Sequence, residues 1–411
     1  MAEESPLDGA SPVEAFAQHG YTEELEAFVK ALPKVELHVH LDGSFDDEQL
    51  FRYLQENKDV LESLPEETTL PWDQSLWPVR KMVSECKDVA DLRRICTCRG
   101  KRSLKEMIKC FEIFIPILKG RLELVEEMAF DFCRRQAEQN IVYTEMRYTP
   151  HLLAKGASLS TRDPVDAVPV MDAVTRGLRR GCEHFGITVN QILCCICWRP
   201  DWAEEIVRMA DEKRNDFPCA IVAVDIAAGE EHFDEKSFSD LYEPHKQAME
   251  LARRLKLNIT IHAGEVGGSE NVLTALEYGA TRVGHGYAVA NDEETMKKLR
   301  EKGVHCEVCP TSSRETGGWT GSKWSEHPVV TMMEHGISAG LNSDDPAVFD
   351  TSLTWQLRIA LAKINLPKSA VLKTLSNSID AAFCDDEQKQ KLHNLLQPYY
   401  DGEDTDNGDQ K

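Results

Sequence analysis

Eight short apolar or β-branched runs, separated by stretches with helical periodicity, constrain the fold of this chain more than any other feature. The runs lie at residues 35–40, 141–148, 187–196, 220–227, 258–263, 282–286, 304–309 and 337–342. Several are too continuously apolar for an antiparallel sheet with one face in water, which indicates parallel strands. We therefore predict an α/β fold, a (β/α)8 TIM barrel. An open doubly wound sheet is the alternative, but no G-x-G-x-x-G follows the first strand.

The long segment between the first two predicted strands has helical periodicity. Its apolar residues recur at helical spacing: Met107, Phe111, Phe114, Leu118, Leu122, Val125, Met128 and Phe132. The pattern predicts a helical insertion after the first strand. We expect these side chains to form core, with a minority of them covering a pocket.

No long linker and no internal repeat divides the 411 residues. We predict a single barrel domain over residues 21–398, since α/β barrels often exceed the usual domain size. Residues 1–20 and the acidic stretch 399–411 are polar and rich in Gly, Asp or Glu, so we predict a mobile N-terminal segment and a disordered tail.

The charge balance argues against two classes of partner. Asp and Glu number 70 against 47 Lys and Arg, for a net charge of -23. Such a chain repels nucleic acid and anionic membrane surfaces. The start of the sequence shows no secretory signal, and no run of about 18 apolar residues is present. We expect a cytoplasmic protein without membrane insertion.

We assign no functional role to any of the thirteen cysteines. Cytosolic thiols stay reduced. Cys306 and Cys309 form a C-x-x-C pair without a partner pair at zinc-finger spacing, and 194–197 contains three cysteines in an apolar run. Buried free thiols that pack as small hydrophobic groups account for both.

The stretch VELHVHLD at residues 35–42 places polar residues at every second position. On a strand, His38, His40 and Asp42 therefore share one face. Taken alone, the stretch is explained by a half-buried strand that turns its polar face to water. Other strand ends, where the chemistry of a barrel lies, carry similar residues: His262, Glu265, His285, Asp344 and Asp345.

Three histidines and an aspartate suit Zn²⁺, which accepts imidazole and carboxylate ligands and needs an open position for catalysis. We assign His38, His40, His262 and Asp344 as ligands of one Zn²⁺ per subunit. The fourth strand, 220–227, has no lysine that could bridge a second metal. Adjacent residues of an extended backbone point to opposite sides, which leaves Asp345 for the substrate.

Bound Zn²⁺ lowers the pKa of its water to about 7 and so supplies a nucleophile. Glu265 is a candidate proton donor if an apolar pocket keeps it protonated. His285, between two glycines, is expected to orient the attacking water. A fifth metal ligand and a core histidine are the alternatives for His285.

These motifs together resemble adenosine deaminase, a zinc enzyme family of the amidohydrolase barrel superfamily. The matching pieces run in the family's order from residue 35 to about 346: VELHVHLDGS, YTEMRYTPHLL, ILCC, HAGEVG, VGHGY, CPTSS and NSDDP. The resemblance implies deamination of adenosine and 2'-deoxyadenosine to the inosines in purine metabolism. It makes Glu265 the proton donor to purine N1, His285 the partner of the water and Asp345 the ligand of N7, with His40 beside the substrate.

The resemblance also implies that Asp42 accepts a hydrogen bond from the ribose 5'-hydroxyl. A carboxylate there repels a phosphate, which favours a small purine nucleoside over a nucleotide. Deaminases of AMP or N6-substituted AMP are therefore the second choice, and a binding or signalling module with little turnover is a third hypothesis.

One loop departs from the family pattern. The family reads D-L-A-G-D-E after the fourth strand, where a glycine N–H binds purine N3, whereas this chain reads DIAAGEE. Either Ala228 or Gly229 could supply that contact, and we select Gly229. The zinc deaminases of cytosine-type bases need H-x-E and P-C-x-x-C. Residues 305–307 match only the first half, so that class is rejected.

Overall fold

A barrel of eight parallel strands forms the centre of the protein in the computed structural model, which describes residues 11–70, 73–158 and 161–406. Neighbouring strands follow the chain order, so each successive strand is added beside the one before it. The barrel strands are β1 (Lys34–His40), β4 (Ile141–Tyr148), β5 (Thr188–Ile196), β6 (Ile221–Ala227), β7 (Asn258–Ala263), β8 (Arg282–His285), β9 (His305–Val308) and β10 (Ser338–Leu341). The predicted TIM barrel is confirmed, and the bounds of all eight predicted strands agree with these to within one residue.

The first and last strands meet just beyond the end of β10. Val39 of β1 pairs with Asp344 in a parallel bridge. The N–H of His40 donates to the Asp344 carbonyl (2.8 Å), and the N–H of Asp344 donates to the His38 carbonyl (3.1 Å). The seam of the barrel therefore runs through three of the predicted metal ligands.

Helices surround the barrel. In chain order they are α1 (Pro12–Ala15), α2 (Glu23–Ala31), α3 (Asp47–Glu56), α4 (Asp59–Ser63), α5 (Val79–Ser84), α6 (Val89–Cys96), α7 (Leu104–Leu118), α8 (Leu122–Glu138), α9 (Pro150–Leu153), α10 (Val168–Phe185), α11 (Ala203–Lys213), α12 (Ser239–Arg254), α13 (Ser269–Glu277), α14 (Glu293–Lys302), α15 (Pro310–Glu315), α16 (Pro328–Glu334), α17 (Pro346–Phe349), α18 (Leu353–Ala362), α19 (Lys368–Ala381) and α20 (Asp386–Asp406). No helix within the described ranges is both long and apolar enough to cross a bilayer.

The segment between β1 and β4 contains α3 to α8 and also a two-stranded antiparallel hairpin. The hairpin strands are β2 (Thr68–Leu70) and β3 (Asp73–Trp77). The sequence of this segment predicts only helices. The hairpin strands, of three and five residues, are too short to produce a clear alternation of apolar and polar residues.

Helix α7 supplies the part of this segment that bears on function. Ser103 caps its N-terminus by accepting a hydrogen bond from the Glu106 N–H, and its apolar residues recur every three or four positions. Phe114 and Leu118 are fully buried in the core, whereas Met107 and Phe111 line the cavity described below. The expectation that a minority of these side chains covers a pocket is confirmed.

The ends of the chain bear on the predicted domain limits. Within the predicted N-terminal segment, α1 and a 3-10 turn (Ala17–His19) enclose Phe16, which is fully buried and packs on Trp355. Helix α20 continues through the start of the predicted tail to Asp406. Residues 1–10 and 407–411 lie outside the described residues, so the predicted limits stay predictions.

Strand β1 differs from a regular alternating strand. Its pairing with β4 shifts register between Glu36 and Val39. Both of its faces are buried, including Lys34 and Glu36. A polar face turned to water is therefore the wrong explanation of VELHVHLD, because the polar residues of this strand are buried among partners inside the protein.

Candidate active site

A cavity of about 430 Å³ opens at the C-terminal ends of the barrel strands. Its inner end is lined by residues that follow or end the strands: His40, Asp42, Ala228, His262, Glu265, His285, Asp344 and Asp345. Its outer side is closed by one face of α7, with Leu104, Met107, Ile108, Phe111 and Ile115. Polar groups thus converge at the base of a largely apolar cavity, the usual form of a small-molecule site.

Four residues form a candidate metal centre at the base of this cavity. Ligand atoms of His38, His40, His262 and Asp344 all lie within 4.8 Å of one another. Nε2 of His38 is 3.1 Å and Nε2 of His40 is 3.5 Å from Asp344 Oδ1, and the Nε2 atoms of His40 and His262 are 3.2 Å apart. The structure therefore brings together the four residues that the sequence analysis had assigned as ligands.

A buried carboxylate orients each of two histidines. His38 donates from Nδ1 to Glu307 Oε2 (2.8 Å), and Nδ1 of His262 lies 3.0 Å from Asp225 Oδ2. A histidine whose Nδ1–H is engaged in this way presents an unprotonated Nε2, the form that binds a metal. Glu307 is on β9 and Asp225 is on β6.

One guanidinium joins these two carboxylates beneath the site. Arg147 of β4 donates to Asp225 Oδ2 and to Glu307 Oε2, both at 2.7 Å, and to the Leu37 carbonyl. Arg282 of β8 donates to the second oxygen of Glu307 (2.7 Å). Burial opposes ionisation of Glu307, but Arg147 and Arg282 hold its pKa well below the usual value. Both carboxylates therefore stay charged although they are completely buried.

Glu265 is a buried carboxyl group whose charged neighbours are other carboxylates. It is 3% exposed, and burial together with the charges of Asp344 and Glu230 raises its pKa well above the usual value. Its N–H donates to Glu230 Oε1 (2.7 Å), which fixes the turn after β7. Its surroundings therefore favour the protonated form of Glu265, which is the form that can donate a proton.

His285 ends β8 and faces Glu265. Its Nδ1 donates to the hydroxyl of Tyr287 (2.9 Å), which donates in turn to the Cys309 carbonyl (2.9 Å). Nε2 is left as an acceptor, 3.7 Å from Glu265 and 4.0 Å from Asp344. Burial holds the pKa of His285 well below its usual value, although the Asp344 carboxylate opposes this. The ring is neutral and its free nitrogen points into the site.

Asp42 and Asp345 provide two further carboxyl groups in the cavity. Each is buried, and each has one oxygen, Oδ1, without a hydrogen-bond partner among the described residues. Burial raises the pKa of Asp42 to about 7, and burial with the charges of Asp344 and Asp42 raises that of Asp345 well above its usual value. Gly43 allows this arrangement, since a Cβ at that position would overlap the Asp345 carboxylate.

The loop after β6 distinguishes Ala228 from Gly229. Ala228 lines the cavity, and its φ of 84° lies in the left-handed region that favours glycine. Gly229 is not among the cavity-lining residues and packs behind the loop, where a Cβ would lie 2.7 Å from the Trp198 ring. Of the two residues, Ala228 is therefore the one whose backbone borders the cavity.

Sequence reasoning missed the charged residues beneath the metal centre. Arg147, Asp225 and Glu307 each stand in a strand that the sequence predicts to belong to the parallel barrel sheet. A charge in such a strand has to be paired, because an isolated buried charge is too costly. A charged residue within a predicted barrel strand was therefore a sequence signal that could have identified Arg147, Asp225 and Glu307.

Comparison with known proteins supports the assignment of a family. Residues 33–399 match the family model described as adenosine deaminase. The adenosine deaminase of Xenopus tropicalis is 32% identical over 387 residues, which cover 92% of this chain and 98% of that protein. The adenosine deaminase of Clostridium perfringens is 30% identical over 363 residues, 88% of this chain and 97% of that protein.

Solved structures show the same fold. A zinc-bound amidohydrolase from Burkholderia ambifaria superposes with a TM-score of 0.73 at 22% identity, over 97% of this chain and 96% of that one. The N6-mAMP deaminase of Arabidopsis superposes with a TM-score of 0.68 at 25% identity, over 90% and 99% of the two chains. The family match spans nearly the whole barrel together with its strand-end residues, and this chain belongs to the adenosine deaminase family.

Proposed function

We propose that the protein hydrolyses adenosine and 2'-deoxyadenosine to inosine and 2'-deoxyinosine with release of ammonia. The observation that carries this proposal is the position of Glu265, whose pKa is raised, 3.7 Å from His285, whose pKa is lowered, beside the candidate metal centre. The adenosine deaminases of the same family support the choice of substrate.

The metal that this proposal requires is one Zn²⁺ held by His38, His40, His262 and Asp344. The donor set fits, since Nε2 of His38 is buried without a hydrogen-bond partner among the described residues and the Nε2 atoms of His40 and His262 face each other at 3.2 Å. Three nitrogens and a carboxylate oxygen suit zinc in a catalytic site. When bound, Zn²⁺ lowers the pKa of a water to about 7 and so supplies hydroxide at neutral pH.

The protein's own groups then handle the protons. Nε2 of His285 accepts a hydrogen bond from the attacking water and directs it at the carbon that bears the amino group. Glu265 donates its proton to purine N1, which makes that carbon more electrophilic. A C–O bond forms between the water oxygen and this carbon while N1 keeps the proton from Glu265. One proton of the water returns to Glu265 and the other passes to the amino group, the C–N bond breaks, and ammonia leaves as the C=O bond of the inosine forms.

Three groups are proposed to orient the purine nucleoside. Asp345, whose buried setting favours the protonated form, donates to N7, and Asp42 accepts from the 5'-hydroxyl. The N–H that contacts N3 belongs to the loop after β6. We now place this contact at Ala228, because Ala228 lines the cavity and Gly229 does not.

Deamination of N6-substituted AMP is the second candidate. The Arabidopsis N6-mAMP deaminase has the same fold, and three basic residues, Lys119, Arg121 and Lys155, line the cavity of this chain. Asp42 argues for the nucleoside, since its carboxylate would repel a 5'-phosphate. A binding module without turnover is disfavoured, because such a module would not need a proton donor, Glu265, that faces a base, His285.

Turnover on a substrate panel tests these proposals. The purified protein, with its zinc measured, is incubated with adenosine, 2'-deoxyadenosine, AMP and N6-methyl-AMP, and inosine, IMP and ammonia are quantified. We expect the two nucleosides to be the best substrates. Stoichiometric zinc with no product from either nucleoside would refute the proposal, and faster release of IMP from N6-methyl-AMP would establish the second candidate.

We further propose that the protein is a single barrel domain that works in the cytoplasm on small purine nucleosides, without nucleic-acid partners. All thirteen cysteines are unpaired, which suits a reducing compartment. The net charge of -23 disfavours polyanionic partners.

A further inference from the structure

A second group of potential ligands overlaps the first. Ligand atoms of His38, His285, Cys309 and Asp344 also lie within 4.8 Å of one another, and all four residues are buried. This second set shares His38 and Asp344 with the first set. It replaces His40 and His262 by the imidazole of His285 and the thiol of Cys309.

The two oxygens of Asp344 face the two sets separately. Oδ1 is 3.5 Å from Nε2 of His40, which belongs to the first set only. Oδ2 is 4.0 Å from Nε2 of His285, which belongs to the second set only. A cation in the second set would therefore lie on the His285 side of the same carboxylate.

One phenol holds the two additional ligands in place. The hydroxyl of Tyr287 accepts from His285 Nδ1 (2.9 Å) and from the Cys309 N–H (3.3 Å), and it donates to the Cys309 carbonyl (2.9 Å). His285 is therefore fixed with Nε2 free, and the backbone that carries the Cys309 thiol is fixed beside it. The thiol itself has only a weak contact, 3.6 Å to the Glu307 carbonyl.

The chemistry of the two sets differs. A thiolate is a soft ligand, so replacing an imidazole by a thiolate shifts preference toward thiophilic cations. Because His38 can give its Nε2 to one ion only, the two sets exclude each other. Binding a cation in the second set releases the thiol proton of Cys309 to solvent.

We propose that His38, His285, Cys309 and Asp344 form an inhibitory site for one thiophilic divalent cation such as Cd²⁺. The cation occupies Nε2 of His285, so this atom no longer accepts a hydrogen bond from water. The proposed site affects which metal the enzyme binds. The proposal does not depend on which purine the enzyme deaminates.

Cadmium loading of the metal-free full-length protein tests this proposal. Coordination by a thiolate gives a ligand-to-metal charge-transfer absorption in the ultraviolet, which N and O ligands lack. We expect one such absorption per chain in the wild type and its loss in Cys309→Ser. Cys306→Ser is the matched control, since Cys306 is equally buried in the same C-x-x-C stretch but outside the set, and it should keep the absorption.

A second variant separates this site from the catalytic zinc site. His262→Ala removes a ligand of the first set alone, so it should lose zinc yet keep the cadmium absorption. Cys309→Ala, checked by thermal unfolding, replaces Cys309→Ser if the latter does not fold. Equal cadmium absorption in wild type and the folded Cys309 variant, or loss of the absorption in His262→Ala, would overturn the proposal.

Discussion

The floor of the cavity, formed by His38, His40, His262 and Asp344, and its wall, formed by the cavity face of α7, are built in opposite ways. Each floor residue lies in or just after a barrel strand, and two of its histidines are fixed by buried carboxylates that share Arg147. The wall is one helical face of mainly apolar side chains from a segment outside the barrel. We infer that the floor determines the chemistry, whereas the wall determines how well a substrate fits. The predictions below test this division.

The largest effect is expected at Glu265, beside the floor. Glu265→Gln removes the proton donor, so we expect turnover to fall about 10²- to 10⁴-fold, the usual contribution of general acid catalysis. Zinc content should remain stoichiometric because Glu265 is not a proposed ligand. Glu270→Gln, an exposed glutamate shortly after it, serves as the control. Zinc loss that parallels the loss of turnover would contradict the assigned role.

Arg147→Met should disturb the floor without touching substrate. It leaves Asp225 and Glu307 without their shared cation, and breaking a buried ion pair costs about 3 to 5 kcal/mol in the free energy of unfolding. Loss of such supporting contacts lowers metal affinity by about 10- to 100-fold. Chemical unfolding and zinc competition measure the two effects. Arg180→Met is the control: it removes exposed ion pairs and should change the free energy of unfolding and the zinc affinity little. Equal effects of both variants would refute the role of Arg147.

Asp42 should make substrate choice depend on pH. Burial raises its pKa to about 7. The Asp42 carboxylate is therefore negatively charged above pH 7, and it loses this charge by protonation as the pH falls through 7. The hydrogen bond accepted from the 5'-hydroxyl and the repulsion of a phosphate weaken together. We expect the preference for adenosine over AMP, measured as kcat/KM, to drop about tenfold below pH 7. Asp42→Asn should show the low preference at every pH, and a wild-type preference that ignores pH would contradict the prediction.

A substitution in the wall should affect binding alone. Ile108→Ala removes about 1 kcal/mol of apolar contact, which corresponds to an increase in KM of about fivefold. Steady-state kinetics and metal analysis should show an unchanged kcat and unchanged zinc. A kcat loss as large as that of Glu265→Gln would abolish the distinction between floor and wall.

The smallest effect is expected at Ala228. Ala228→Gly removes the backbone strain of an alanine held at a φ of 84°. The glycine also adds conformational entropy to the unfolded chain, which opposes this gain in stability. The net result should be a rise in the free energy of unfolding of up to about 1 kcal/mol, measured by denaturant titration. Gly229→Ala should destabilise instead, since its Cβ would meet the Trp198 ring. A loss of stability in Ala228→Gly would show that the alanine is not strained.

The barrel and the floor were accessible from sequence because strand periodicity and short motifs are local signals. His38, His40 and His262 stand at predicted strand ends, and a barrel brings such ends together. The wall was harder to predict, since helical periodicity does not say which of Met107, Phe111 and Phe114 faces a cavity. The choice between Ala228 and Gly229 depended on a backbone dihedral angle that residue types did not reveal.

The seam between Val39 and Asp344 has a consequence for biosynthesis. The ribosome makes the two sides of this seam roughly 300 residues apart, and the later side carries Asp344, which completes the candidate metal centre with the earlier histidines. A chain whose translation stops before that point has neither a closed barrel nor the full set of proposed ligands. Truncated products therefore cannot acquire partial activity, and completion of the fold and onset of catalysis coincide.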